Sequence, residues 1–479
     1  MLLEGKMLTK PLLVLASLGL AAAAGCSSNG SVANGVQRAL PALRPSSGNP
    51  VSKYISHVVV IIQENRSFEN FFAGYPGANA PIYGCAGNGT LRPHAMRTIA
   101  LPLTSGSSCP PGDTQVPLHA ITFDGPDLRH DWDSSMTSWN GGKMDGFNQF
   151  GVKGKYQAYA FVKPSLIQTY RTMAQQYVLA DAMFPTEFGG SFTGHLTLVA
   201  GTDNIKKKPS RAEVDFPSLP PDDCDAPPGT RTSYLTANRV VHRFKGPFPC
   251  FTQFNTMAQV LDKGGVSWKY YATKLVGAGM WSAFEGIKYV RDGPDWNTNI
   301  IVPQTKILTD PGNGQLASVT WVTPSKPDSD HPGAHSALGP SWVASVVNAV
   351  GQSPYWDSTA IIVVWDDWGG WYDNAPPPQP DYRGLGMRVP CLIISPYARQ
   401  GYVSSTQYEY GSILKFIEEA FNLPFIGSKA DGYTDERATS IEDSFDFTQP
   451  PRPFSKIPQR YPMSHFLHEP PSNEPVDTE

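Results

Sequence analysis

Three short runs constrain this chain more than anything else in it: HVVVII at 57–62, AIIVVW at 360–365 and CLIISP at 391–396. Each is apolar almost without interruption, the pattern of a strand covered on both faces in a parallel sheet. SVTWVT at 318–323 reads the same way, and SLIQTYRTMAQQYVLAD reads as a helix followed by a strand ending at Asp181. SFENFFAG after the first run predicts a short helix, and WVASVVNAV (342–350) and YGSILKFIEEAF (410–421) carry apolar positions at helical spacing. Strands interleaved with helices predict an α/β fold with a mostly parallel central sheet. Two long stretches rich in Pro, Gly and Asp, about 75–130 and 203–250, read as irregular insertions. Structureless loops of that length are uncommon unless they serve a purpose such as capping a site.

In open α/β sheets, ligands bind outside the carboxyl ends of the strands. HVVVII delivers Gln63, Glu64, Asn65 and Arg66 there, and AIIVVW delivers Asp366 and Asp367. Two adjacent carboxylates in mid-strand would point to opposite faces, leaving one buried and unpaired. At the strand's end, with Gly369 and Gly370 to turn the chain, both can converge on something positive. SVTWVT leads toward Asp328, Asp330, His331 and His335, and the strand ending at Asp181 leads toward Ser191 and His195. Glu, Asn and two Asp form an all-oxygen set suited to a hard divalent cation, beside which a hydroxyl becomes an activated nucleophile. Each piece also has an ordinary reading: a helix cap for Glu-Asn, a turn for Asp-Asp-Gly-Gly, plain surface for His-Pro. Taken as residues alone, the pattern stops at a metal-assisted hydrolase or a metal-stabilised domain.

The chain has 479 residues, 17% of them charged, and a net charge of −4. Its longest basic run is Lys206–Lys208, so no nucleic-acid partner is expected. Residues 1–26, MLLEGKMLTKPLLVLASLGLAAAAGC, read as an export signal, and AAGC resembles a lipoprotein box whose Cys26 would carry a lipid anchor. Residues 27–54 read as a flexible tether. Export to the periplasm or cell surface permits disulfides. Cys85 with Cys109 and Cys224 with Cys250 is the preferred pairing of the local cysteines, and Cys391 reads as a small core residue.

An ordered series of segments then narrows the reading: HVVVIIQENRSFENFFAGYPG, HDWDSSMTSWNGGKMDGF, GGSFTGHLTLVAGT, SDHPGAH, IIVVWDDWGGWYDN, GLGMRVPCLIISPYAR, YEYGSILKFIEEAFNLP and DFTQPPRPF. In this order, over residues 55–454, they resemble the bacterial phosphoesterase family of non-specific phospholipases C and AcpA-type acid phosphatases, within the alkaline-phosphatase-like superfamily. The resemblance implies a three-layer sandwich with a catalytic domain at 55–454 and a C-terminal tail at 455–479. It also implies a divalent ion (Ca, Mg, Mn or Fe) on Glu64, Asn65, Asp366 and Asp367. Ser191 in SFTGH matches the family's Ser-x-Pro-x-His nucleophile motif except that Thr193 replaces the proline, and Thr186 is the fallback. By position, His130, His331, His195 and His335 would surround the phosphate, and a phosphoserine intermediate would be released by water. The expected substrate is a phosphate monoester or a phospholipid head group. Trp365, Trp368, Trp371 and Tyr372 are either an aromatic rim for such a head group or core.

Two other classes stay in view. GGSFT at 189–193 falls one glycine short of a nucleophile elbow, the sign of a metal-independent serine carboxylesterase. A non-enzymatic surface lipoprotein would use the ion only as a brace. A sulfatase is excluded because CPPGD at Cys109 has Asp113 where that chemistry needs Arg.

Overall fold

The apolar runs become the middle of a nine-stranded sheet. In a computed structural model, residues 50–87, 109–149, 156–208, 210–277, 279–334, 337–470 and 472 are described. The strands are β1 (His57–Gln63), β2 (Val178–Phe184), β3 (Trp268–Tyr271), β4 (Ile300–Ile301), β5 (Val319–Val322), β6 (Thr359–Trp365), β7 (Val389–Ile394), β8 (Tyr402–Ser404) and β9 (Tyr408–Glu409). They lie in the order β4-β3-β5-β1-β6-β7-β2-β8, with β9 also on β2. β1 and β6 pair in parallel over their full length, from His57 opposite Thr359 to Gln63 opposite Trp365. Only β7 opposes its neighbours, antiparallel to both β6 and β2. Two reversals restore the direction, so β2 runs with β1, β5 and β6, and all four end on one edge.

Every residue of β5, β6 and β7 is buried, as the unbroken apolar runs predict for strands covered on both faces. The covering helices include α1 (Phe68–Phe72), α2 (Trp132–Trp139), α3 (Gln168–Gln176), α4 (Ser191–Ala200), α5 (Met257–Gly264), α6 (Gly339–Gly351) and α7 (Tyr410–Phe421). α4 packs against α5 and α7, whereas α3 packs against α6. α4 and α6 are buried along their whole length, which explains why their sequences lack a polar stripe.

The insertions are less irregular than their composition suggests. Asn204–Lys207, Ser210–Val214, Ser233–Thr236 and Val241–His242 form a four-stranded antiparallel sheet. Its strands are short and polar, burying only a few residues each, so no apolar run betrays them. In the other insertion Tyr83–Ala86 pairs with Thr114–Pro117. Both expected disulfides, Cys85–Cys109 and Cys224–Cys250, are present, and Cys391 is a free thiol buried in β7.

The packed body also reaches past the limits read from sequence. Val51, inside the expected tether, is fully buried in a short helix, Val51–Tyr54. In the expected tail, Ile457 is buried, and Phe466 packs on Trp342 at 5.6 Å between ring centroids. Cys26 and the export segment lie outside the described residues. Among the described residues no helix is long and apolar enough to cross a membrane.

Candidate active site at the carboxyl edge of the sheet

Because β1, β6 and β2 end together, the residues that follow them meet. Asp366 answers for one carboxylate of the Asp pair: its Oδ1 accepts the backbone N–H of Asn65 at 2.9 Å and of Asp367 at 2.8 Å. Asp367 turns the other way, its Oδ1 accepting Gly369 N–H at 2.7 Å and its Oδ2 accepting the Ser191 hydroxyl at 3.0 Å. The same hydroxyl is 3.4 Å from Asn65 Oδ1.

The corner is tight, and glycines make it possible. Asn65 itself has φ +57°, a left-handed conformation that Asn tolerates. A Cβ on Gly369 (φ +59°) would stand 2.0 Å from the Asn65 carbonyl oxygen. A Cβ on Gly194, in the first turns of α4, would stand 2.3 Å from the Asp366 carbonyl oxygen. Gly194 is thus where α4 presses against the end of β6. Tyr410, the first residue of α7, donates to the carbonyls of Trp365 at 2.5 Å and Asp366 at 2.6 Å, closing the corner from the other side.

Two histidines complete the cluster. His130 Nδ1 donates to the Leu128 carbonyl at 2.6 Å, which leaves Nε2 to accept Asn65 Nδ2 at 2.9 Å. His195 Nε2 lies 2.9 Å from Glu64 Oε1 and 3.7 Å from Asp366 Oδ2. Burial pushes the His195 pKa down to about 4 against the pull of Asp366, so the ring is neutral near pH 7. Glu64, Asn65, Asp366, Asp367, His130 and His195 are all at most 1% exposed, whereas Ser191 keeps 4%. Ser191 is the least buried member of the cluster.

Glu64, His195 and Asp366 each bring a donor atom within 4.8 Å of the others, a set able to hold a metal ion. Asp366 Oδ2 and His195 Nδ1 are buried and make no hydrogen bond. A buried carboxylate oxygen without a donor is costly, and a cation would satisfy it. The donors therefore fit a bound metal.

The other expected residues fall at different distances. His331 is buried beside the cluster, its ring 6.1 Å from that of Trp281, which in turn stacks on His195 at 6.4 Å. His335 lies outside the described residues. Thr186 is buried with no hydrogen-bond partner for its hydroxyl, away from the contacts that Ser191 makes. Arg66 turns into the core, donating to the Asp330 carbonyl at 2.8 Å and stacking among Phe71, Phe123 and Trp371. Asp330 accepts Tyr170 OH and Trp365 Nε1, so it is part of that scaffold. Trp365, Trp368, Trp371 and Tyr372 are at most 1% exposed and form core, not a rim. Sequence reasoning passed over Tyr410 and Trp281; both act through contacts with distant segments, which no local pattern announces.

With this geometry in place, comparison with known proteins is decisive about kinship. Residues 55–424 match the phosphoesterase family over most of the chain. The chain belongs to the phosphoesterase family. Phospholipase C A of Mycobacterium tuberculosis is 26% identical to this phosphoesterase over 440 residues, covering 83% of it and 78% of the relative. Non-hemolytic phospholipase C of Pseudomonas aeruginosa is 24% identical, covering 78% of this chain and 54% of its own. Non-specific phospholipase C4 of Arabidopsis thaliana is 24% identical, covering 82% and 72%. A solved structure from the alkaline phosphatase superfamily of Vibrio parahaemolyticus superimposes with a TM-score of 0.35 at 14% identity, over 58% of this chain and 65% of that one. The phosphoesterase is an enzyme that hydrolyses phosphoric esters.

Proposed function

We propose that the phosphoesterase is an exported, metal-dependent hydrolase that cleaves phospholipid head groups or phosphate monoesters through Ser191. The observation that carries this reading is the hydrogen bond from Ser191 Oγ to Asp367 Oδ2 at 3.0 Å, made at the first residue of a ten-residue helix. A helix amino terminus favours an anion such as a phosphate. In the step proposed, Ser191 Oγ bonds to phosphorus as the bond to the departing oxygen breaks, and its proton leaves toward Asp367. Asn65 Oδ1 and Asp367 Oδ2 hold the hydroxyl in place, and His130, fixed by Leu128, positions the Asn65 amide. His331 is assigned to the phosphate oxygens and to the proton taken up by the departing alcohol, whereas His130, with both ring nitrogens engaged by Leu128 and Asn65, serves to hold Asn65. Water then hydrolyses the phosphoserine and returns the serine.

Glu64, Asn65, Asp366, Asp367 and His195 are the donors assigned to the metal. A bound divalent ion would supply Lewis acidity, neutralising phosphate charge and easing deprotonation of the serine. The imidazole in the set tilts the choice from Ca or Mg toward Mn or Fe. Two disulfides agree with export, and the lipid anchor at Cys26 belongs to the same proposal.

The test is hydrolysis of p-nitrophenyl phosphate and p-nitrophenylphosphorylcholine, with and without chelator, by the wild type and by Ser191→Ala. Chelator-sensitive turnover that vanishes in the variant supports the proposal, and the preferred ester separates phosphatase from phospholipase C. Turnover of either phosphate ester that is indifferent to chelator would overturn the metal dependence and leave a metal-independent serine phosphoesterase.

A further inference from the structure

A second group of carboxylates lies apart from the catalytic cluster. Asp223 and Asp225 flank Cys224 in the 203–250 insertion, and Glu285 comes from the turn Ala283–Gly286. One oxygen of each lies within 4.8 Å of one from each of the others. The two segments are already joined by Cys224 N–H to the Glu285 carbonyl at 3.2 Å, and Phe251, next to the disulfide partner Cys250, donates its N–H to the Gly286 carbonyl at 2.7 Å.

Two side chains point to a missing ligand. Asp223 is 1% exposed; its Oδ1 accepts Asp225 N–H at 2.7 Å, and its Oδ2 accepts nothing. Ser282 is 3% exposed, and its hydroxyl is likewise without a partner. Asp222, Asp223 and Ser282 line one cavity, whose far wall is Phe192 and Leu196 of α4. Arg291 holds Asp225 at 2.8 Å, and Glu285 Oε1 accepts Gly277 N–H at 2.7 Å. Burial drives the Asp223 carboxyl up to about 6, opposed by the hydrogen bond from the Asp225 N–H and by Arg291 and aided by the Asp225 charge.

We propose that Asp223, Asp225 and Glu285, with Ser282, hold a structural divalent cation of the calcium class. The donors are all oxygens with no imidazole or thiolate among them, the set a hard cation selects. They come from an irregular loop and a short 3-10 helix that share no common geometry, which suits the flexible coordination of Ca better than the strict octahedron of Mg. The ion would tie the 203–250 insertion to the floor beneath the helix that carries Ser191, sharing Asp225 with Arg291. This inference is independent of the chemistry proposed for Ser191.

The experiment counts bound ions and follows unfolding in chelator-stripped full-length protein given Ca²⁺, with Mg²⁺ as a second titrant. The proteins are wild type, Asp366→Asn, Asp223→Asn and the double variant, each checked for folding by circular dichroism. Asp366→Asn should keep one equivalent of Ca²⁺ and a Tm that rises with Ca²⁺, and the double variant should lose both. If Asp366→Asn binds no Ca²⁺, or binds an equivalent that survives Asp223→Asn, the proposal is overturned. Should Asp366→Asn fail to fold, the wild type decides: Asp223→Asn must bind one equivalent fewer, and an equal count refutes the site. Asp223→Glu should restore binding, which a purely structural loss would not allow.

Discussion

Asp366 and Asp367 are neighbours with opposite duties, and the division explains why a strand can end on two carboxylates. One oxygen of Asp366 is held by backbone amides and the other makes no hydrogen bond, while Asp367 faces the serine. That a carboxylate pair ends the strand here was legible in the sequence, although the same pattern also reads as an ordinary turn. Which oxygen faces what was not legible, because it depends on Asn65 arriving from 301 residues away. Ser191→Ala should lower kcat by about 10³-fold or more while leaving bound metal unchanged, checked by kinetics and an ion count together. Asp366→Asn should lose catalytic metal and activity together, since its Oδ2 is the acceptor without another partner.

At the scale of elements, the site depends on how closely β6 is gripped between α4 and α7. Gly194 lets the backbone of α4 touch the Asp366 carbonyl, and Tyr410 at the head of α7 bonds the same carbonyl. Gly194→Ala should therefore shift α4 and misplace Ser191, lowering kcat more than it raises KM; unchanged kinetics would mean that the contact is slack. Tyr410→Phe removes a hydroxyl from two buried carbonyls and should cost about 1–3 kcal/mol in urea unfolding. The strands and α7 could be read from the chain because burial on both faces, or helical spacing, leaves a periodic mark. The small sheet in the 203–250 insertion left none, because strands such as NIKK and SRAEV gain their burial from neighbours rather than from their own apolar content.

For the whole molecule, buried acids set the pH response. Burial raises Asp215 and Asp435 to about 6, and Asp328 and Asp330 to about 7. In the unfolded chain such groups lose their proton near pH 4. Between those values the folded state holds more protons, so stability is full below about pH 4 and falls as pH rises through 6 to 7. Asp381 runs the other way: burial raises it, but Arg383 and Arg437 outweigh burial and hold it well below the usual range. Its contribution is complete above pH 4 and does not change over this window. Chelator-treated protein should accordingly show a higher Tm at pH 5 than at pH 8, and the reverse order would show that other groups dominate.

The central pairing of β1 with β6 brings Asn65 to Asp366 across 301 residues, while Ser191 reaches Asp367 across 176. Contacts of such separation form late, because long loops must close before they are rewarded. Glu64 leaves the ribosome early and can meet His195, but Asp366 and Asp367 and then Tyr410 follow only much later. On the chemistry proposed for Ser191, hydrolysis therefore begins only once β6 and the head of α7 have been synthesised.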